Sequence, residues 1–294
     1  MSAAASPSDK RLARVDVLIV NYNAGAWLAR CTRTVRPSGC REPALIVVDN
    51  GSTDGSLEAI ADKSITVDRA GRNAGFAAGV NRAAASARRE YLLILNPDCL
   101  IEPADLARLV AELDRHPEAA LVSGKVLGQD GLEQRGSRRC LPTPGRIAGE
   151  LLPLGAEGVD RTHTSPPDRS EEVEAVSGAC MLVRRTAFEQ VDGMDESYPL
   201  HFEDLDLFAR LIESGWSLRW VPDARIVHAG GQSSRKRPVA VLWAKHRGLW
   251  RYLRNHCSRD WPRWQRPLWF LALTLHAVIK TPVVWTASRF KSAR

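Results

Sequence analysis

The amino-acid sequence predicts an α/β fold in which helices flank a mostly parallel β-sheet. Short, continuous apolar runs alternate with helix-patterned segments over the first hundred residues, which is typical of parallel strands buried on both faces. Turn-forming polar residues follow these runs, where a parallel sheet places its ligand-binding loops. The 294 residues, 44% of them hydrophobic, supply enough apolar material for one large domain or two ordinary ones.

Strands and helices are predicted from the spacing of their apolar residues, which is continuous in buried strands and about 3.6 residues in helices. The predicted strands are residues 15–20, 44–49, 64–69, 91–96 and 120–127. The predicted helices are residues 24–35, 56–63, 76–89 and 104–117. The sequence contains no apparent internal repeat.

The pattern weakens in the middle of the chain. Residues 128–170 are rich in Gly, Pro, Arg and Ser, and we predict a long, mobile and variable loop. Order returns over residues 174–196. The acidic segment that follows predicts a helix ending at Gly215, and residues 217–231 predict one or two strands.

Positive charge and tryptophan are concentrated at the C-terminus. Residues 235–294 carry 14 Lys and Arg against one acidic residue, whereas the rest of the chain carries 27 against 33. Six of the nine tryptophans also lie in this segment. We therefore predict a mildly acidic body, residues 15–234, joined to a basic, tryptophan-rich helical tail that meets a different partner.

The N-terminus and the cysteines indicate a cytosolic protein. Residues 1–14 lack the apolar core of a secretory signal, and we expect a flexible terminus there. The six cysteines are scattered, without a C-x-x-C pair or metal-ligand spacing. We therefore expect reduced thiols.

Four predicted strand-end loops carry candidate ligand-binding residues. They are NYNAG (21–25), DNGSTDGS (49–56), DRAGRNAGF (68–76) and NPDCLIEP (96–103). Asp49 ends a buried strand, where a carboxylate needs partners, and it can accept hydrogen bonds from a ribose hydroxyl or a base N–H. Arg72 and Asn73 precede Gly75 at a helix N-terminus, which suits a diphosphate. A turn alone also explains each loop, and the chain has neither a Walker loop nor a G-x-G-x-x-G motif after its first strand.

Two residues have the chemistry of metal ligands. Asp98 follows strand 91–96, and a lone carboxylate beside a nucleotide suits Mg²⁺ or Mn²⁺, because the diphosphate and water supply most other ligands. His228 ends another predicted strand and can supply a second metal contact. The structural alternatives are a helix cap or turn for Asp98 and a packed or surface histidine for His228.

The stretch LHFEDLDLFAR, residues 200–210, places three carboxylates among apolar residues. Acids at a helix N-terminus offset the helix dipole, and Asp206 can pair with Arg210 four residues on. Glu203 and Asp204 precede or open this helix. There a carboxylate can instead serve as a general base at the edge of a substrate pocket.

In this order, the segments resemble the family 2 inverting glycosyltransferases of GT-A fold, in particular their rhamnosyltransferase-like branch. The matching segments, between about Val15 and Ser234, are VLIVNYNAG, IVVDNGSTDGS, RNAGFAAGVN, LLILNPD, SGACMLVRRTAFEQVDGMDESY, FEDLDLFARLIESGW and ARIVHAGG. One such motif is weak evidence, whereas seven in order are specific. The resemblance implies a Rossmann-like nucleotide-binding half at 15–127 and an acceptor-binding, catalytic half at 171–234.

The resemblance also implies roles for matching residues. The implied donor-binding residues are Asn21, Asn23, Asp49, Asn73, Gly75 and Asn96. Asn96 stands where the family's D-x-D metal motif has its first Asp, which leaves Asp98 the main ligand, and His228 would complete the metal site. Asp204 would be the catalytic base, with Glu203 beside it.

The implied activity is transfer of a sugar, L-rhamnose among the candidates, from a dTDP- or UDP-sugar to a lipid-linked or polysaccharide acceptor. The Asn-Pro-Asp version of the metal motif favours a dTDP-sugar. Transfer with inversion needs a base for the acceptor hydroxyl and a cation, Mg²⁺ or Mn²⁺, for the leaving diphosphate. One alternative is a sugar-1-phosphate nucleotidyltransferase, although NYNAGAWLAR lacks its glycine-rich phosphate loop. The other is a non-catalytic membrane-bound scaffold.

The tail has the composition of a membrane-surface helix. Its longest apolar run, PLWFLALTLHAVI, is interrupted by His276 and followed by Lys280 and Pro282, so we expect it to be too short to span a bilayer. Trp and Arg beside an apolar face favour a helix lying on anionic lipid. A homodimer surface or helical partner is the main alternative, and nucleic acid is not expected. We thus expect a cytoplasmic protein peripherally bound to the inner face of the cell membrane.

Overall fold

The computed structural model describes residues 7–151, 158–198, 200–230, 238–258, 261–262 and 264–292. Within these ranges the strands are β1 (Val15–Asn21), β2 (Ala44–Asp49), β3 (Thr66–Arg69), β4 (Tyr91–Leu95), β5 (Cys99–Ile101), β6 (Ala119–Leu127), β7 (Arg138–Arg139), β8 (Glu171–Glu172), β9 (Ala175–Val176), β10 (Cys180–Arg184) and β11 (Ser217–His228). The helices are α1 (Pro7–Leu12), α2 (Ala26–Val35), α3 (Phe76–Ser86), α4 (Pro103–Arg115), α5 (Pro144–Leu151), α6 (Arg185–Gln190), α7 (Glu203–Glu213), α8 (Pro238–Tyr252) and α9 (Gln265–Ser292). A π-helical turn, Leu253–Cys257, continues α8.

Most of the strands form one mixed sheet in the order β3-β2-β1-β4-β10-β6-β11-β5, with β8 paired to β11. Six of its strands share one direction, and β5, β8 and β10 oppose them. The predicted α/β fold with a mostly parallel sheet is confirmed. Because β3, β2, β1 and β4 are parallel neighbours, the loops at their C-terminal ends share one edge of the sheet.

Strand β1 is buried on both faces because its side chains alternate between two cores. Val15, Val17 and Ile19 belong to the core on the side of α2 and α4, whereas Leu18 and Val20 belong to the core on the side of α3 and α7. This two-sided burial explains why the first strands are almost continuously apolar.

The helix predicted for residues 56–63 is wrong, because this segment is a turn followed by irregular chain. Asp54 accepts a hydrogen bond from the Ser56 N–H, and the Ser56 hydroxyl accepts one from Asn21 at 2.9 Å. An eight-residue helix is marginal by itself, and these bonds offer the backbone an alternative.

The loop predicted for residues 128–170 contains regular structure where it is described. Strand β7 pairs with β9, and α5 follows it. The Arg138 side chain is 4% exposed and pairs with Glu133. A two-residue strand carries no detectable periodicity, so the sequence gives no signal for it. Residues 152–157 lie outside the described residues.

The N-terminal segment also departs from expectation in part. Residues 7–12, within the segment predicted to be flexible, form α1, and Leu12 is buried. Residues 1–6 lie outside the described ranges. All six cysteines are free thiols.

The C-terminal tail is part of the body rather than an appendage to it. Tyr252 and Leu253 are 1% and 0% exposed and belong to the same core as α7. Helix α9 runs back along α8, where His246 contacts His276 at 2.8 Å. Residues 235–237, 259–260, 263 and 293–294 of the predicted tail are outside the described part of the chain.

Helix α9 leaves a broad apolar face exposed. Leu268, Leu271, Leu275, Ile279 and Val283 are each more than half exposed. Its first 23 residues, through Ala287, are long and apolar enough to cross a membrane by length and composition alone. The expectation that this run is too short to span a bilayer is therefore wrong, because the helix continues through Lys280 and Pro282.

Candidate active site

Asn21 and Asp49 join the loops that follow β1 and β2. The Asn21 amide donates hydrogen bonds to Asp49 Oδ1 at 2.8 Å and to the hydroxyls of Ser52 and Ser56, both at 2.9 Å. Asp49 Oδ2 also accepts from the Ser52 N–H. Both residues are buried, so their carboxylate and amide brace the loop. Their predicted contact with a nucleoside stays a prediction.

The loop after β3 is hydrogen-bonded to the loop after β2. Asn73 Oδ1 accepts a hydrogen bond from the Gly75 N–H, and the Asn50 amide donates to the Gly75 carbonyl, each at 2.9 Å. Gly75 has φ 96° and precedes α3, a conformation that favours glycine. Arg72 and Asn73 are exposed, so this helix N-terminus offers a cation and an amide to solvent.

Asn23 also joins the loops that follow β1 and β2. Its side-chain oxygen accepts from the Thr53 N–H at 2.9 Å, and its own N–H donates to the Ser52 hydroxyl at 3.0 Å. Its φ of 53° is in the left-handed region, which Asn tolerates better than most residues. The strand-end loops of β1, β2 and β3 thus form one hydrogen-bonded rim.

Asn96 and Asp98 lie on the loop between β4 and β5. The Asn96 N–H donates to the Ala179 carbonyl at 2.9 Å, which ties this loop to the segment Ser177–Ala179. The pairing register sets Cys99 opposite His228, and the Ala229 N–H donates to the Asp98 carbonyl at 3.0 Å. The sheet edge therefore brings Asp98 and His228 together.

The atoms that face each other in this pair are Asp98 Oδ1 and His228 Nε2, 3.3 Å apart. Gln134 determines which nitrogen of the ring carries a proton. Its amide N–H donates to the His228 carbonyl at 2.7 Å, so its oxygen faces His228 Nδ1 at 2.9 Å and must accept from it. In the neutral ring, Nε2 then presents a lone pair to a carboxylate oxygen.

Two acceptors placed this close need a shared cation, either a proton on the ring or a metal ion. The pair therefore fits a divalent ion that takes carboxylate and imidazole ligands. Cys99 lies beside them, but its thiol donates to the Ala179 carbonyl and burial raises its pKa well above the usual value. It is therefore a buried thiol and not a ligand for Mg²⁺ or Mn²⁺.

Asp204 lies in the first turn of α7, where its carboxylate meets Arg139 from β7. Arg139 Nη2 is 2.5 Å from Asp204 Oδ2, and the Leu205 N–H donates to Oδ1 at 2.9 Å. Arg139 also donates to the Val176 carbonyl of β9. A Cβ atom built on Gly178 would lie 2.6 Å from Asp204 Oδ2, so only glycine leaves room for this carboxylate.

Gly178 and Ala179 connect the two halves of the site. Gly178 lies against Asp204, and the adjacent Ala179 carbonyl holds the Asn96 N–H. The segment between β9 and β10 therefore places the acidic residue of α7 next to the loop that carries Asp98.

The two acids that open α7 have opposite protonation. Burial disfavours the charge on Asp204, but Arg139 more than offsets this and holds its pKa below the ordinary value. Burial, and then the charge of Asp204, raises the pKa of Glu203 to about 8. At neutral pH Asp204 is a carboxylate and Glu203 is a carboxylic acid, so Asp204 is the one able to accept a proton.

The turn that presents these acids is strained. His201 and Phe202 have φ of 65° and 71°, the left-handed region that costs non-glycine residues roughly 1–3 kcal/mol each. His201 Nε2 and Glu203 Oε2 are buried without a hydrogen-bond partner among the described residues. Burial lowers the pKa of His201 to about 4. Strain and unsatisfied polar atoms of this kind are typical of functional sites.

Asp206 has a structural role. It pairs with Arg210 at 2.7 Å, as predicted, and accepts from the Tyr198 hydroxyl at 3.0 Å. Its side chain is 2% exposed, so it does not face a substrate.

Three residues near the predicted ones were not found from the sequence: Arg139, Gln134 and Gly178. Arg139 and Gln134 lie in the segment without periodicity, and their partners are 65 and 94 residues away in the chain. The only available signal was Gly178 in SGAC, which reads equally well as a turn.

Comparisons with known proteins identify the family of the chain. A family model described as glycosyl transferase family 2 matches residues 16–192. The chain is 29% identical to N-acetylglucosaminyl-diphospho-decaprenol L-rhamnosyltransferase of Mycobacterium tuberculosis, over 90% of this chain and 92% of that protein. It is 26% identical to the rhamnosyltransferase WbbL of Escherichia coli, over 50% of this chain and 54% of the relative.

Solved structures with the same fold include two distant ones. One is the mannosyltransferase PcManGT from Pyrobaculum calidifontis in complex with GDP-Man and Mn²⁺, with a TM-score of 0.56, 18% identity, and coverage of 95% of this chain and 75% of that one. The other is S. aureus TarS 1-349, with a TM-score of 0.55, 15% identity, and coverage of 90% and 71%. At these identities the likeness establishes the GT-A-like fold.

Proposed function

The chain belongs to glycosyltransferase family 2, and on that premise we propose that it transfers L-rhamnose from a nucleotide sugar to a lipid-linked acceptor in cell-envelope glycan synthesis. The observation that carries the proposal is that the short segment Gly178–Ala179 contacts both the ionised Asp204 and the loop of Asp98, which pairs with His228. Asp204 supplies a base, and the Asp98–His228 pair supplies a place for a cation. The reaction needs both.

The choice of sugar and acceptor rests on relatives. The Mycobacterium tuberculosis protein, aligned over almost its whole length, is named for L-rhamnose and for an acceptor with a diphospho-decaprenol lipid. WbbL is named as a rhamnosyltransferase too. The Asn96-Pro97-Asp98 sequence favours a dTDP-sugar over a UDP-sugar as donor, through its resemblance to the rhamnosyltransferase branch.

Asp204 would act as the general base. An acceptor hydroxyl is a weak nucleophile until a carboxylate takes its proton as the new bond forms. The hydroxyl oxygen bonds to the anomeric carbon, the bond from that carbon to the diphosphate oxygen breaks, and the hydroxyl proton passes to Asp204. One displacement inverts the anomeric carbon. Neutral Glu203 beside Asp204 adds no second charge at pH 7.

Asp98 and His228 would hold a divalent cation, Mg²⁺ or Mn²⁺, with Gln134 fixing the ring. When bound, such an ion offsets the negative charge that develops on the leaving diphosphate. Arg72 and the N-terminus of α3 lie on the rim formed by the β1, β2 and β3 loops, and we assign them to the same diphosphate. Both groups stabilise charge without moving a proton.

Helix α9 would hold the enzyme on the inner face of the membrane, where a lipid-linked acceptor presents its hydroxyl. Its exposed apolar face and the net positive charge of residues 235–294 suit an anionic bilayer. Liposome flotation of the full chain and of a Leu271→Glu, Leu275→Glu variant would test this. Both side chains are more than half exposed, so the changes should leave the fold intact. Equal flotation of the two proteins would exclude α9 as the docking surface, and self-association lost in the variant would indicate a homodimer instead.

The decisive experiment measures donor binding and transfer separately. We expect dTDP-L-rhamnose with Mg²⁺ or Mn²⁺ to raise the melting temperature, since a ligand that binds only the folded state stabilises it. We also expect transfer to a polyprenyl diphosphate-linked sugar. Donor binding without transfer to any acceptor would favour the non-catalytic scaffold. Stabilisation by a different nucleotide sugar alone would overturn the choice of L-rhamnose.

A further inference from the structure

His256, in the π-helical turn after α8, lies between two carboxylates of α7. Its Nε2 is 2.9 Å from Asp206 Oδ1, and its Nδ1 is 2.8 Å from Glu213 Oε1. The ring is 7% exposed. Asp206 and Glu213 are seven residues apart, which is two helical turns on one face. One residue of the C-terminal segment therefore joins the first and last turns of α7.

The hydrogen bonds fix the charge of this ring. An ionised carboxylate can only accept hydrogen bonds, so both nitrogens of His256 must donate, and the ring is an imidazolium. Burial lowers the pKa of His256, but the bonds to Asp206 and Glu213 more than offset this, and its pKa lies above the ordinary value. Asp206 receives further bonds from Tyr198 and Arg210. Charge-assisted bonds of this kind are among the strongest in proteins.

Helix α8 supports the strained turn before α7 in the same region. A Cβ atom built on Gly248 would lie 3.0 Å from the Phe202 ring and 3.1 Å from the His201 carbonyl, so α8 contacts this turn directly. The Tyr252 ring lies 6.2 Å from that of Phe202. A left-handed conformation at His201 and Phe202 persists only where the surrounding contacts hold it.

The helix that carries Asp204 is therefore held from the C-terminal side at both ends. Gly248 and Tyr252 contact the turn before Glu203, and His256 bonds to the first and last turns of the helix. We propose that His256 is a positioning residue for sugar transfer, which holds α7 so that Asp204 meets the acceptor hydroxyl. The proposal rests on the proposed role of Asp204 as base, because His256 itself reaches α7 and not the reacting atoms.

The test compares full-length His256→Gln with the wild type. Glutamine is neutral and supplies donors from one nitrogen, so it can serve one carboxylate at a time. We expect kcat to fall about 10- to 100-fold with the donor KM within about threefold, because a misplacement of about 1 Å costs about 100-fold in rate. Backbone hydrogen exchange over residues 203–213 should be at least about tenfold faster, because exchange reports local opening.

Two further variants make the result specific. His163→Gln replaces an exposed histidine and should match the wild type in both measurements. Glu213→Gln weakens one side of the contact at a carboxylate that is 44% exposed, so it should fold even if His256→Gln does not, and it should show smaller changes in the same direction.

The outcomes separate the proposals. Faster exchange in α7 with wild-type kcat would make His256 structural only and overturn the positioning role. Wild-type exchange and wild-type kcat in both variants would overturn it as well. A wild-type chain that binds no nucleotide sugar would instead overturn the proposed function, while the exchange rates would still decide whether His256 holds α7.

Discussion

Arg139 and Asp204 are joined by a 2.5 Å ion pair between a two-residue strand and the first turn of α7. The guanidinium keeps the carboxylate ionised and also makes it a weaker base. The same contact thus determines the lowest pH at which Asp204 can accept a proton.

Replacing Arg139 with methionine should move the acid limb of the pH–rate profile. Without the guanidinium, burial raises the pKa of Asp204, so activity that needs the ionised carboxylate is lost at a higher pH. We expect an upward shift of about 1–3 pH units in kcat/KM. Arg41→Met, at an exposed position, is the control, and an unmoved limb would exclude Asp204 as the group it reports.

Asp204→Asn should strongly slow transfer and leave the donor bound. The amide keeps the shape of the side chain but cannot accept a proton, so we expect kcat to fall by about 10²–10⁴. Calorimetric titration of the nucleotide sugar should give a Kd close to that of the wild type. Asp223→Asn, at an exposed carboxylate, should be neutral. Weakened donor binding with normal turnover would refute the assignment.

Gly178→Ala tests the space beside Asp204. The added methyl would lie 2.6 Å from Oδ2 and 3.0 Å from Cγ of Asp204, so the carboxylate must move. We expect kcat to fall about 10- to 100-fold, since displacement of a reacting group by about 1 Å has an effect of this size. Gly145→Ala, on α5 with no atom within 4 Å of the added Cβ, is the matched control.

Gln134→Met should weaken metal binding without removing a ligand. Methionine has a similar length, but its thioether accepts only weakly from His228 Nδ1, so the ring loses its fixed orientation. We expect the affinity for Mn²⁺, measured by calorimetry, to fall about 10- to 100-fold. Gln129→Met, at an exposed position, should bind as the wild type does. Equal affinities in all three proteins would place the ion elsewhere.

Glu203→Gln should stabilise the protein increasingly as the pH rises. Between its ordinary pKa of 4.5 and its raised pKa of about 8, folded Glu203 holds a proton that the unfolded chain has lost. The free energy of unfolding therefore falls with pH across this window. The amide removes that dependence, so urea unfolding should give a difference of a few kcal/mol at pH 8, since one pKa unit is about 1.36 kcal/mol.

At pH 5 the free energies of unfolding of Glu203→Gln and the wild type should differ only slightly. Glu58→Gln, whose side chain is 68% exposed, should show no such trend. A variant that is less stable than the wild type at pH 8 would mean that Glu203 is ionised in the folded protein.

The sequence predicts this site wherever a residue follows a regular element. Asp49 and His228 end apolar strands, Asp98 follows one, and Asp204 opens an amphipathic helix, so local periodicity singles them out as candidates, and the family resemblance supplies their predicted roles. Arg139 and Gln134 cannot be found in this way. They lie in an aperiodic segment, and their roles depend on partners that are far away in the chain.

The composition of the C-terminal segment does not predict how this segment packs. Its composition, basic and rich in tryptophan, indicates a separate surface helix. Composition does not reveal that Tyr252 and Leu253 complete the core beside α7, or that His256 reaches Asp206. The buried residues of α8 are too few and too dispersed among charged ones to reveal which face packs.

The pairing of β5 with β11 places Cys99 opposite His228, and the candidate metal site exists in that register alone. A slip by one residue would turn the imidazole to the other side of the sheet. An ion held by Asp98 and His228 would therefore hold the edge strand β5, only three residues long, against β11. We expect removal of the ion by a chelator to loosen the β5 edge of the sheet before any other part of the protein. We also expect the bound cation to favour the correct pairing of β5 with β11 during folding.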